Sequence, residues 1–233
     1  MSELLANMHW GAILQIVVID ILLGGDNAIV IALACRDLPP SQRMKGIVWG
    51  TAGAIGLRLV LVGFAVYLLD LPVLKLAGGL LLVWIGVRLM RPQHDKHAEI
   101  KPSARLLAAI KTIIVADFVM SLDNVIAIAG AAEAAPASTR IFLVAFGLII
   151  SIPIIVWGSQ LILKALDRFP FIIYFGAALL GWIAGGLIVD DPLLQPYPAL
   201  QGDAFQLAAS IVGALFVVLL GGLLRMRGRA SSA

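Results

Sequence analysis

Read as a pattern of apolar and polar positions, the chain is a succession of long apolar runs separated by short polar segments. Seven runs, at about 10 to 34, 46 to 69, 71 to 90, 106 to 131, 141 to 163, 170 to 189 and 205 to 224, are long enough to cross a ~30 Å hydrocarbon core as helices. Pro39-Pro40, Asp70-Leu71-Pro72, the segment from Arg91 to Arg105, Ala135-Pro136, Phe169-Pro170 and the loop from Asp190 to Asp203 supply the stops and starts. The expected fold class is all-α: a polytopic membrane protein of seven transmembrane helices in a single transmembrane domain over 1–233. The stretch behind Met1 to His9 is too long for a signal-peptide core, so it is expected to stay in the membrane as the first helix.

The pattern also repeats. At an offset of 97, Asp20-Ile-Leu-Leu-Gly-Gly-Asp26-Asn27-Ala-Ile aligns with Asp117-Phe-Val-Met-Ser-Leu-Asp123-Asn124-Val-Ile. The same offset matches Ser41 with Ser138, Arg43 with Arg140, Gly50 with Gly147 and Asp70 with Asp167. One inserted residue later, Gly78 meets Gly176 and Trp84-Ile85 meets Trp182-Ile183. This is a duplication of a three-crossing unit. Because three is odd, the second copy enters from the opposite face, giving two inverted three-helix repeats (about 10–90 and 106–189), a linker over 91–105 and a final helix at about 205–224. In transporters built this way the substrate site commonly lies near the midplane between the repeats. The two Asp-containing motifs should face each other there.

Composition agrees with lipid as the solvent. The chain is 61% hydrophobic and 13% charged over 233 residues, with a mean hydropathy of +1.01, too apolar for one soluble core. Its net charge of +3 does not mark a nucleic-acid binder, because the basic residues sit between apolar runs and form no stripe. They report orientation instead. Arg36, Arg43 and Lys45, then Arg88, Arg91, Lys96, Lys101 and Arg105, then Lys164 and Arg168, then Arg225, Arg227 and Arg229 all fall on one side, which should be cytoplasmic. Asp70, Glu133, Asp190, Asp191 and Asp203 fall on the other, where Arg140 is the clear basic residue and Lys75 can snorkel. The expectation is a bacterial inner-membrane protein with its N-terminus outside and its C-terminus inside. The single cysteine, Cys35, excludes an internal disulfide and a thiolate metal cage.

The chemistry lies in the duplicated motif. Four Asp residues at helix centres cost about 10–14 kcal/mol of insertion free energy, so they need compensating cations. Apart from Lys111, near one end of the fourth run, Arg58 is the only intramembrane base. It is the expected counter-ion, and the negative charge left over invites a bound metal or protons. Seven residues bring a helix back to nearly the same direction, so Asp20 shares a face with Asn27, and Asp117 with Asn124. Asp26 and Asp123 lie about 120° away and join only if the helix opens. Gly24-Gly25 makes that opening cheap in the first copy; Ser121-Leu122 is its less permissive counterpart. Asp20, Asp26, Asn27, Asp117, Asp123 and Asn124 form a hard, all-oxygen ligand set. It suits Mn²⁺, Mg²⁺ or Ca²⁺ and does not choose among them.

Each feature also has a plainer explanation. Helix-embedded Asp and Asn can simply bond across helices, though a duplicated pattern at mid-membrane depth makes that less economical. His94, Asp95 and His97 read better as a solvated loop than as a regulatory metal site. Trp10, Trp84 and Trp182 fit interfacial anchors or helix packing, and Gly78-Gly79 and Gly185-Gly186 fit close helix contact. Topology accounts for Asp190, Asp191 and Asp203.

The paired segments Gly24-Gly25-Asp26-Asn27 and Asp117-Phe-Val-Met-Ser-Leu-Asp123-Asn124 resemble the signature of the TerC family of integral membrane proteins, especially its compact YjbE-like branch. The resemblance runs from the first span to the seventh. It implies a place in the lysine-exporter superfamily of inverted-repeat transporters, among proteins linked to tellurite resistance and manganese efflux, with acidic site residues at Asp20, Asp26, Asp117 and Asp123. The chain is expected to lack the fused cytoplasmic domain of larger relatives, so functions resting on that domain are not expected to carry over. On this basis the expected activity is transmembrane transport of a divalent cation, Mn²⁺ export foremost, by alternating access. Membrane lipid surrounds the chain, protons are a candidate coupling ion, no prosthetic group is needed, and nucleic acid has no role. The alternative is a non-transporting membrane protein that assists metal loading or metal-stress resistance. No Gly-x4-Gly-Lys-Ser/Thr, His-Glu-x-x-His or Gly-x-Ser-x-Gly motif supports ATP hydrolysis or an intramembrane hydrolase.

Overall fold

A computed structural model describes residues 10–69, 71–90, 102–132, 139–197 and 202–230. These residues form α1 (Trp10–Cys35), α2 (Pro40–Leu69), α3 (Leu74–Met90), α4 (Pro102–Ala132), α5 (Arg140–Arg168), α6 (Ile172–Val189) and α7 (Asp203–Ala230), with a 3-10 turn at Pro192–Leu194. No strand occurs among them. The linker residues His94, Asp95 and His97, and Asp70 and Glu133, lie outside the described residues.

Several helices outrun the apolar stretches that forecast them. α2 begins at Pro40, α4 at Pro102, and α5 ends at Arg168, beyond the expected limits of 46, 106 and 163. Loss of hydrophobicity ends a membrane span but not a helix. Gln, Arg, Met and Lys in Ser41-Gln-Arg-Met-Lys45 are good helix formers, and proline is favoured at a first helical position.

Among the described residues, four helices are long and apolar enough to cross a membrane, and five if the two arms of α1 form one span. α3 has 17 residues, about 25 Å at 1.5 Å per residue, which is short of the hydrocarbon core. α4 carries Arg105, Lys111, Asp117 and Asp123 along its length. Large apolar side chains such as Leu14, Trp157, Phe216 and Leu219 face outward, as they do on helices solvated by lipid.

Packing follows a simple scheme. α1 lies along α5, α2 along α4, and α3 along α6, while α1 meets α4 and α2 meets α5. Exchanging α1 with α4, α2 with α5 and α3 with α6 leaves this set of pairs unchanged. α7 stands outside the scheme, lying against α6 and α3. Its contact with α6 is backbone to backbone: a Cβ added at Gly181 or Gly185 would overlap the carbonyl of Gly213 or Ala209. Gly78 and Gly79 likewise let α3 close onto Val119 of α4 and Ile188 of α6.

The helix ends gather at two poles. At one, Arg43 near the start of α2 pairs with Asp167 at the end of α5 at 2.8 Å, and Arg225 of α7 stacks over Tyr174 of α6. At the other, Asp191 joins the start of α3 to the end of α6. Its Oδ1 accepts from the N–H of Val73 and of Leu193, and its Oδ2 from the N–H of Leu76, each at 2.9 Å. Asp191 is fully buried. Burial alone pushes its carboxyl up, but the backbone donors of Leu76, Leu193 and Val73 outweigh that and hold it below the ordinary carboxylate range.

Candidate functional site

The duplicated motifs lie on α1 and α4, which touch in the middle of the bundle, and Arg58 reaches them from α2. Asp20 is 0% exposed, Arg58 1% and Asp117 6%. Arg58 Nη1 donates to Asp20 Oδ1 and Nη2 to Asp117 Oδ1. Its Nε donates to Ser121 Oγ at 2.9 Å, and the Ser121 hydroxyl in turn donates to Asp117 Oδ2 at 3.0 Å. One guanidinium thus spans the two first carboxylates of the duplicated motifs. The planar fork of Arg suits this role, because its donors diverge toward separate acceptors and its charge is permanent.

The balance is incomplete. One positive group faces two carboxylates, and several polar atoms beside it are buried without a hydrogen-bond partner: Asp20 Oδ2, Asp26 Oδ1, and both amide atoms of Asn27. Thr51 Oγ1 is in the same condition, one heptad before Arg58 and therefore on the same face of α2. Buried polar atoms are normally paired, so a cluster of orphans points to a ligand or water. Asn27 and Asp117, with Val30, Ile31 and Ile113, line a cavity of about 10 Å³, at the lower limit for one water molecule.

α1 bends by 50° between its arms Ile13–Ile21 and Gly25–Cys35. The break between the arms covers 22 to 24 and so ends at the first of the two glycines, where a turn is loosened easily. Asp26 and Asn27 open the second arm and Asp20 closes the first, so the bend sets the angle between them. α4, like α1, is assigned as one helix throughout, including Ser121, where the sequence suggested a second opening. No glycine pair loosens it there, and Ser121 is held by Asp117 one turn back and by Arg58.

Asn124 is half-buried on α4, and the Asp123 side chain lies outside the described residues. Among the described residues, no three of His, Cys, Asp and Glu come close enough to hold a metal ion. The Arg58 guanidinium stands between the two carboxylates. Sequence reasoning singled out Ser121 only as a possible break and overlooked Thr51. The available signal was spacing: Ser121 is one turn from Asp117, and Thr51 is two turns from Arg58.

Comparison with known proteins gives a consistent picture. Residues 5–229 match the integral membrane protein TerC family. The chain is 46% identical over 209 residues to the uncharacterized membrane protein YjbE of Bacillus subtilis, covering 89% of this chain and 92% of that one. It is 24% identical to the uncharacterized membrane protein YceF of the same organism, over 76% of this chain and 70% of that one. It is also 24% identical to the inner membrane protein YgdQ of Escherichia coli, over 78% of this chain and 81% of that one. No solved structure matches.

Proposed function

Since the chain belongs to the TerC family of integral membrane proteins, we propose that it carries a divalent metal ion across the bacterial inner membrane, with Mn²⁺ export its principal activity. The reading rests above all on one observation. Two buried carboxylates from the duplicated motifs share a single guanidinium, with orphaned carboxylate and amide oxygens alongside. Stability alone gives no reason for such an arrangement, since apolar residues of similar volume would serve as well.

The mechanism follows from charge. Between loads, Arg58 acts as a tethered cation that keeps Asp20 and Asp117 neutralised while the carrier reorients. A hard divalent ion competes for the same oxygens, and Arg58 swings aside when the ion enters. Asp20, Asp26, Asp117 and Asp123 supply charge, and Asn27 and Asn124 supply neutral oxygens. A flexing α1, with its bend at Gly24-Gly25, brings Asp26 toward the site. Reorientation is alternating access between two inverted repeats in a seven-crossing chain, a reading supported by the helix pairs that survive exchange of the two motifs' helices. The basic pole faces the cytoplasm, and proton exchange at the carboxylates drives the cycle.

Proteoliposomes loaded with a Mn²⁺-sensitive dye test this. Wild type should show Mn²⁺ flux, Asp117→Asn and Asp26→Asn should lose at least tenfold of it, and excess Mg²⁺ or Ca²⁺ should compete less well than Mn²⁺. No flux in wild type, or unchanged flux in the Asn variants, sinks the proposal.

A further inference from the structure

Outside the site lies a groove of about 690 Å³, within the range of small-molecule pockets. It opens at the basic pole between Ile29 of α1, Ile162 and Ala165 of α5, and Ile172, Tyr174 and Phe175 of α6. Its lining is apolar throughout, which alone would say no more than that lipid chains lie there.

The rim adds chemistry. Arg225 of α7 lies over the Tyr174 ring, its Cζ 5.4 Å from the centroid. Its Nε and Nη1 are shut away from solvent with no hydrogen-bond partner. On the other flank, Arg168 lies 5.8 Å from the Phe169 centroid, and Phe169 packs on Phe171, a further wall of the groove, at 6.1 Å. Each guanidinium is held over an aromatic ring, and that of Arg225 keeps two N–H donors without an acceptor. The described acids at this pole are already matched, Asp167 by Arg43 and Asp37 by Arg36. The rim therefore carries positive charge that no described side chain offsets.

From this pairing of an apolar groove with an unpartnered guanidinium, we infer that an anionic phospholipid binds here, one acyl chain between α1, α5 and α6 and its phosphate on Arg225. Basic pockets between membrane helices favour such headgroups over zwitterionic ones. The site has a mechanical consequence. Ile29 belongs to the arm of α1 that follows the 50° bend, the same arm that carries Asp26 and Asn27. A chain wedged behind Ile29 buttresses that arm from outside and favours one bend angle.

The inference is independent of what the protein transports. Delipidated full-length protein in neutral detergent, examined by native mass spectrometry, should retain phosphatidylglycerol at least tenfold more tightly than phosphatidylcholine. Glycerol 3-phosphate in excess should not displace it, because the acyl chain holds the ligand. Arg225→Gln, in the last two turns of α7, should reduce phosphatidylglycerol retention to the phosphatidylcholine level with the thermal midpoint unchanged. Ala165→Trp, which fills the groove, should lower retention of both lipids, whereas Arg88→Gln, which removes a guanidinium stacked elsewhere on Trp84, should change nothing. Equal retention of the two lipids, undiminished retention in Arg225→Gln, or full displacement by glycerol 3-phosphate overturns it.

Discussion

Asp191 and the Asp20–Asp117 pair are buried carboxylates with opposite solutions to the same problem. Asp191 uses both oxygens on backbone N–H groups at the start of α3 and in the turn after α6. Fixed donors cannot leave, so the group is a permanent tie between two helices. Asp20 and Asp117 instead depend on Arg58, a long side chain that can withdraw, and Asp20 keeps an oxygen unpaired. A carboxylate bound by main chain is architecture; one bound by a flexible cation can exchange that cation for another.

The sharpest way to break the contrast is Arg58→Gln, which strands two carboxylates in the interior. It should cost about 3–5 kcal/mol, the usual effect of removing one partner from a buried pair, seen as a large drop in the thermal midpoint in detergent. Adding Asp117→Asn should recover part of the loss, because the surplus charge falls. If the double variant is no more stable than the single, charge balance is not what Arg58 provides.

Asp191→Ala should cost less, about 1–3 kcal/mol, by leaving buried N–H donors without an acceptor. Its Mn²⁺ flux per folded molecule should stay at the wild-type level. The same group predicts a pH response. Its folded pKa lies below its unfolded value, so its stabilisation is complete above the ordinary carboxylate range, near pH 4, and is lost as pH falls through the lower folded value. Midpoints measured from pH 6 downward should therefore fall less steeply at the acid end in Asp191→Asn than in wild type. Identical slopes would mean the tie does not titrate.

The smallest effect concerns Val73, whose amide serves that tie at φ 72°, a conformation unfavourable for a β-branched residue. Val73→Gly removes strain of about 1–3 kcal/mol and adds back roughly 0.5–1 kcal/mol of chain entropy. The midpoint should rise slightly. A fall would show that the Val73 side chain contributes more by packing than its backbone loses by strain.

Much of this was legible in the sequence, for identifiable reasons. Periodicity and repeat alignment mark the motif helices because an ionised group in an apolar run stands out against its neighbours. Arg58 emerged as counter-ion because hardly any other base lies at that depth. Asp191 did not emerge, since an acid in an acidic loop looks solvated until the fold closes around it; the Asp191-Pro192 pair, an N-cap followed by proline at a first helical position, was the available clue. Gly24-Gly25 marks the bend in α1 in advance, but only the fold reveals that Ser121, at the corresponding place in α4, spends its hydroxyl on Asp117. Helix ends were misplaced wherever a helix continued into polar sequence, since hydropathy measures the solvent and not the backbone.

The backbone contact of α7 with α6 bears on the proposed cycle. Alternating access would have the helices related by the duplication exchange arrangements, and α7, packed on both α6 and α3, has no counterpart among the described helices. In such a carrier the two end states would not be mirror images of each other, and one of them would be the preferred resting state.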